Sequence, residues 1–167
     1  MTRRRIAFRV IGVPQAQGSA QPFLTWHGKH PQARVRHDNP KLKGWRQVVA
    51  EQAQGVIGDE LFTGPVVLTV VFRLPRPDGL PKRTLHHVKQ PDLDKLVRAI
   101  GDGLTNVVFV DDKQIVDLHA RKVYTSGAQP PSAWIVVEAA DLPDSEQTLD
   151  LFADASVFDQ KREGEFA

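Results

Sequence analysis

The sequence predicts an α+β fold, a mixed β-sheet of about four to five strands packed with two main helices. Three observations lead there. Apolar residues alternate at Ile6, Phe8 and Val10 and again at Val66, Leu68, Val70 and Phe72, the period of a strand with one buried face. They recur at helical spacing through Trp45, Val48, Val49, Gln52 and Val56, and through Leu96, Val97, Ile100 and Leu104. The chain has 167 residues, 41% of them apolar and 25% charged, which is enough for one domain with a real core. That domain is expected over 1–140, with an acidic and flexible tail over 141–167.

Composition narrows the function classes. The chain has no cysteine, which excludes disulfides and thiolate metal sites and leaves carboxylate and histidine as ligands. No run of 18 apolar residues exists, so no membrane span is expected. The start, MTRRRIAFRV, is too short in apolar residues for a signal peptide, and the expected location is cytoplasmic. Residues 141–167 hold eight acids against two bases, a charge of −6, which leaves +8 for residues 1–140 of a chain whose net charge is +2. A basic body suits a polyanionic partner. The plainer alternative is a solvated basic surface with no ligand.

In chain order, Arg5 to Val13 is the first strand and Pro14 ends it. The segment to Asn39 is rich in Gln, Gly, Pro and His, and reads as a long loop or small hairpin. Within it Arg34-Val35-Arg36-His37 reads as a short strand showing two arginines. Asp38 or Asn39 caps the first helix, with Pro40 at its first position. Lys41, Lys43 and Arg46 lie on its first turns, where they can meet phosphate. Val66 to Leu74 is the next strand. Arg76 to Lys89 then carries Lys82, Arg83, His86, His87 and Lys89, a mobile basic loop that either grips DNA or is an exposed linker; the two histidines are expected at the surface.

The stretch from Gln90 to Lys122 carries the chemistry. Asp92, Asp94, Asp111 and Asp112 place four carboxylates within 21 positions of a basic body. If the chain is extended up to 93, Asp92 and Asp94 point to one side, because strand side chains alternate. A hard cation such as Mg²⁺ relieves the repulsion of paired carboxylates through oxygen coordination. Asp94 also suits the N-cap of a helix over Lys95 to Leu104, with Arg98 one turn beyond it and Asp102 one turn further. Thr105-Asn106 turns the chain back, and Val107 to Val110 is expected as a strand that delivers Asp111-Asp112. One of that pair is expected to reach a metal, because neighbours on a strand face opposite ways. A long alternating strand with one polar face follows through Ile115, Asp117, His119 and Arg121. Trp134 to Ala139 supplies another after the Gly127 to Pro131 turn. The plainer alternative makes the aspartates caps and turn residues. An EF-hand from Asp92 is excluded, since its sixth position is Val97 and its twelfth Gly103. Neither a nucleophile elbow nor a P-loop is present.

The segments PDLDKLVRAIGDGL and VFVDDKQIVDLHARKVY resemble the RusA family of Holliday-junction resolvases, crossover junction endodeoxyribonucleases common in phages and prophages. The family's pattern is a D-x-D-N-L run, a basic residue four after the second Asp, a D-[AG]-L turn and a D-D-x-Q-[IV]-V strand. Weaker echoes are VPQAQGSAQPF and HDNPKLKGWRQVVA. The resemblance implies a RusA-like mixed α/β fold over about residues 5–140. It also implies a homodimer that uses Mg²⁺, or Mn²⁺ as a substitute, to resolve four-way junctions by symmetric paired nicks in recombination and repair. Its essential carboxylates fall on Asp92, Asp94 and Asp112, with Asp111 the weaker candidate ligand. The family's usual Asn is Lys95 here, and its catalytic Lys falls at Arg98. Arginine keeps the charge and the phosphate binding but does not deprotonate, so electrostatic support is the role implied for it. The DNA-contacting cations would be Arg34, Arg36, Lys41, Lys43, Arg46, Lys82, Arg83, Lys89, Lys95 and Lys122.

Two rivals share these residues: a nuclease of broader branched-DNA or flap specificity, and an inactive junction-binding module. In the tail, Gln147, Leu149, Leu151 and Phe152 resemble the short peptides with which bacterial proteins dock on the replication sliding clamp. The alternative there is an acidic tail whose apolar residues pack back on the body.

Overall fold

The computed structural model describes residues 4–140 apart from 19, 38, 82 and 85, and gives the backbone alone for 20–23, 27 and 34–37. The clamp-like peptide and Lys82 lie outside the described residues. So does Asp38, one of the two expected caps.

Strand β1 (Arg5–Ile11) buries Ile6, Phe8 and Val10, the face read from its alternation. Strands β2 (Ala20–His27) and β3 (His30–His37) then form an antiparallel hairpin turned at Gly28, where φ is 63°. Each has eight residues, so the segment read as a long loop or small hairpin is a two-stranded sheet of its own. Helix α1 (Leu42–Ile57) starts two residues later than expected. Asn39 ends the preceding loop instead: its Oδ1 accepts the Lys41 N–H at 3.1 Å, and its amide donates to the Ala16 carbonyl at 3.0 Å. The buried stripe is Leu42, Trp45, Val49, Ala53 and Ile57, while Val48 and Val56 are exposed. The stripe thus lies one residue away from the expected face at two of its turns.

Strand β4 (Val66–Leu74) alternates along its whole length, with Val66, Leu68, Val70, Phe72 and Leu74 buried. Burying side chains of this size stabilises the fold by roughly 1.5–3 kcal/mol each. Helix α2 (Leu93–Leu104) buries Leu96, Ala99, Ile100 and Leu104 against the same core. Its end is closed by Thr105, whose hydroxyl donates to the Gly101 carbonyl at 3.0 Å, and the chain reverses at Asn106 with φ 61°.

Val107–Val110 is not the expected strand. Val108 and Phe109 are buried in a turn, and Phe109 makes isolated bridges to Phe62 and Thr105. Four apolar residues read the same whether a strand or a plug uses them. A single 3₁₀ turn over Asp112–Gln114 leads into β5 (Ile115–Tyr124), and β6 (Ser132–Ala139) ends the described chain. The main sheet has the order β1-β6-β4-β5, with β4 and β5 parallel and the other pairs antiparallel. Both helices pack against the sheet, α1 over β1 and α2 over β5. The fold is therefore α+β, with a four-stranded mixed sheet, a small second sheet and two helices.

Candidate active site

The parallel pair β4 and β5 needs a crossover, and α2 is that crossover. Everything singled out in the sequence between 92 and 112 hangs on it. The loop before α2 is held from below by Lys122 on β5, whose ammonium donates to the carbonyls of Lys89 and Pro91, both at 2.8 Å. Arg76 steadies the same loop by donating to the Thr84 carbonyl at 3.1 Å and stacking 5.1 Å over the Tyr124 ring. The basic loop is thus tied down at several points. His87, expected at the surface, is buried against Tyr124 at a ring separation of 4.5 Å, whereas His86 is exposed. Burial, and then the charge of Lys122, lowers the His87 pKa below its ordinary value.

The helix begins one turn-fraction earlier than read. Asp92 is the N-cap residue, extended at φ −70° and ψ 142°, and Asp94 already lies in the first helical turn. The strand-like alternation expected for Asp92 and Asp94 therefore does not hold. Asp92 pairs with Lys95 at 3.3 Å. Asp94 and Arg98 are one turn apart on one flank of α2, and both line a cavity of about 510 Å³ with Leu93, Val97, Leu118 and Ala120. Neither makes an ion pair or side-chain hydrogen bond with another described residue.

Gly101 continues that flank. A Cβ added there would meet the Asp112 Cβ at 3.8 Å, so Asp112 rests against the bare backbone of α2. Asp112 is exposed. Asp111 caps the 3₁₀ turn, its Oδ1 accepting the Lys113 N–H at 3.0 Å, while Gln114 Oε1 accepts the Asp111 N–H at 3.1 Å. The backbone hydrogen bond and the Lys113 ammonium hold the Asp111 pKa below its ordinary value. Asp111 is thus used as the cap of a turn, with its side chain still 44% exposed, and Asp112 is exposed beside α2.

The remaining expected site residues divide. Arg46 forms an ion pair with Asp102 and donates to Gln17 Oε1 at 3.1 Å, so it braces α1 against α2. Lys122 is committed to backbone carbonyls as described. Lys41, Lys43, Arg83 and Lys89 are exposed, and Lys95 is half-buried beside Asp92. Arg34 and Arg36 lie on β3, with backbone alone described. Sequence reading missed the Gly101 contact, for which no signal existed, and the structural use of Lys122.

As donors, Asp92, Asp94 and Asp112 suit a hard divalent cation, being all oxygen. Their spacing does not form a closed site. Among the described residues no three His, Asp or Glu side chains gather closely enough to hold an ion. Asp94 and Gly101 are two turns apart, roughly 10 Å along the axis, which keeps Asp112 away from the helix start.

The chain belongs to the RusA family: the family model described as Endodeoxyribonuclease RusA matches residues 15–130. A curated relative, "Uncharacterized protein YqaN" of Bacillus subtilis (strain 168), is 30% identical over 130 residues, covering 72% of this chain and 88% of its own length. By family, then, this is an endodeoxyribonuclease. No helix among the described residues is long and apolar enough to cross a membrane.

Proposed function

We propose that the protein is an Mg²⁺-dependent endonuclease of branched DNA, which resolves four-way junctions by paired nicks and works as a homodimer in recombination or repair. The observation that carries this reading is the open flank of α2. There Asp94, Arg98 and the Gly101–Asp112 contact follow one another at spacings of four and three residues, on a chain of the RusA family. The exposed Lys41, Lys43, Arg83 and Lys89 give the body cations for a DNA backbone.

Asp92, Asp94 and Asp112 are the oxygen donors that would hold the cation, which requires Asp112 to close on the start of α2 and Asp92 to be released from Lys95, since the three stand apart in this structure. A bound Mg²⁺ would polarise the scissile phosphate and lower the pKa of a bound water. The chain's own residues do the rest. Arg98 donates hydrogen bonds to the non-bridging phosphate oxygens and balances the charge that grows on them. Leu93 and Val97 wall the cavity and limit water on its helix side.

Cleavage of a labelled synthetic four-way junction, beside linear duplex and flap DNA, tests this for the wild type and Asp92→Asn with Mg²⁺ or EDTA. Symmetric nicks confined to the junction, lost with EDTA and in the mutant, are expected. Equal cutting of flap or duplex would replace junction specificity by a broader branched-DNA activity. Tight junction binding without cleavage would leave only the binding module.

A further inference from the structure

Hairpin β2–β3 stands apart from the main sheet. It is a sheet of its own and packs mainly on itself, while its root is held beside the candidate site. There the Gln17 N–H donates to the carbonyl of Lys95, in the first turn of α2, at 3.0 Å. Asn39 closes the other side of the root through the Ala16 carbonyl. The register sets Leu24 opposite Ala33 and Trp26 opposite Pro31, so these apolar residues share one face of the hairpin. All four are exposed, Trp26 by 68% and Leu24 by 64%.

An indole held that far into water, one residue from the end of a two-stranded arm, contributes little to folding. The charge of the arm says what it meets. Between residues 20 and 37 the chain carries Lys29, Arg34 and Arg36 and no Asp or Glu, and the first acid of the whole chain is Asp38. An arm with fixed positive charges and no acid repels its own copy and attracts a polyanion.

We infer that Trp26 is a base-stacking residue that recognises the branch of a DNA substrate, with Leu24 widening the platform and Lys29 meeting the backbone. Inside a linear duplex both faces of every base pair are covered by their neighbours. An indole finds a free base face only where the stack is interrupted, and a branch point interrupts it. The ring therefore adds affinity for branched DNA and little for duplex. The cations of the arm serve both, because both present the same phosphates. Reach agrees. From Gln17 to Trp26 the chain spans at most about 30 Å, or about nine base-pair steps. A base on Trp26 would thus lie within about one helical turn of a phosphate held at Asp94 and Arg98.

The inference takes its substrate from the nuclease reading, and its test separates the two. Affinities of the full chain for a labelled four-way junction and for linear duplex of the same sequence, at one salt concentration and in EDTA, give the selectivity. Trp26→Ala should lower junction affinity about tenfold, the size of one lost base stack, and leave duplex affinity within about twofold. Trp26→Phe keeps a ring and should recover most of the selectivity, whereas Lys29→Ala should weaken both DNAs alike. Equal loss on both DNAs in Trp26→Ala, or no loss, would overturn the inference, and cleavage of the junction by the wild type in Mg²⁺ would then leave the nuclease reading standing. A Trp26-dependent preference for the junction without any cleavage would uphold the inference and remove the nuclease reading. Altered sedimentation of the DNA-free protein in Trp26→Ala, with unchanged selectivity, would assign the face to a second copy and overturn the inference likewise. Circular dichroism confirms the folding of each variant.

Discussion

The two flanks of α2 carry the same residue types and use them differently. Toward α1, Asp102 pairs with Arg46, both side chains about one-third exposed, and the pair is part of how the helices dock. Away from α1, Asp94 and Arg98 sit one turn apart and engage no other described residue. An aspartate and an arginine within reach of each other normally neutralise one another. Leaving both free beside an apolar cavity has no value for packing, and it keeps both charges available to a ligand. The same division recurs at 111 and 112, where adjacent aspartates split into a cap and an open carboxylate.

The comparison breaks most visibly at the open flank. Asp94→Asn should lower junction cleavage on the order of 10²-fold or more, while changing stability by no more than about 0.5 kcal/mol. Single-turnover cleavage and thermal unfolding of the same preparation measure both. A large loss of stability would mean that Asp94 belongs to the fold after all.

On the packed flank the pattern should invert. Arg46→Ala leaves Asp102 half-buried without its partner and should cost about 1–2 kcal/mol, between the values for exposed and buried pairs. Cleavage by the folded protein should be unchanged. Urea unfolding gives the first quantity, and cleavage below the transition gives the second. A variant that binds DNA poorly at full stability would return Arg46 to the DNA-contacting set expected from its position on the first turns of α1.

Much of this was legible in the sequence, and the gaps have physical causes. Strands β1 and β4 and the buried side of α2 announce themselves, because one face of each is apolar at the right period. The hairpin β2–β3 shows no such period in its Gln-, Pro- and His-rich run, and it pairs mainly with itself. Val107–Val110 has the composition of a core strand, but it is a turn that buries only Val108 and Phe109 and leaves Val110 exposed, a difference that four apolar residues in a row do not reveal. The aspartates were legible as a group, but their allocation was not. Whether Asp92 caps or Asp94 does depends on where the helix starts, and helix ends shift by a residue or two on subtle local terms. Lys122 and Arg46 read as DNA contacts because a basic side chain looks the same whether its acceptor is a phosphate or a carbonyl 31 residues away.

The smallest expected effect distinguishes Asp111 from Asp112. Asp111→Asn keeps an oxygen that can accept the Lys113 N–H but removes the charge that Lys113 and the turn favour. Gln114 still anchors the turn, donating to the carbonyls of Phe62 at 2.9 Å and Gly64 at 2.8 Å, so the loss of melting temperature should be slight. Its pH dependence is the diagnostic. The folded pKa of Asp111 is below the unfolded value of 3.8, so unfolding takes up protons in that range. The wild type's advantage should therefore be complete at pH values above 3.8 and disappear as the pH falls below it through the folded pKa. Melting curves of both proteins from neutral to strongly acid pH would show the two converging at the acid end. Cleavage at neutral pH should survive in Asp111→Asn and fail in Asp112→Asn. If both substitutions abolish cleavage without touching the acid convergence, the cap is also a ligand, and the division between used and open carboxylates fails at this pair.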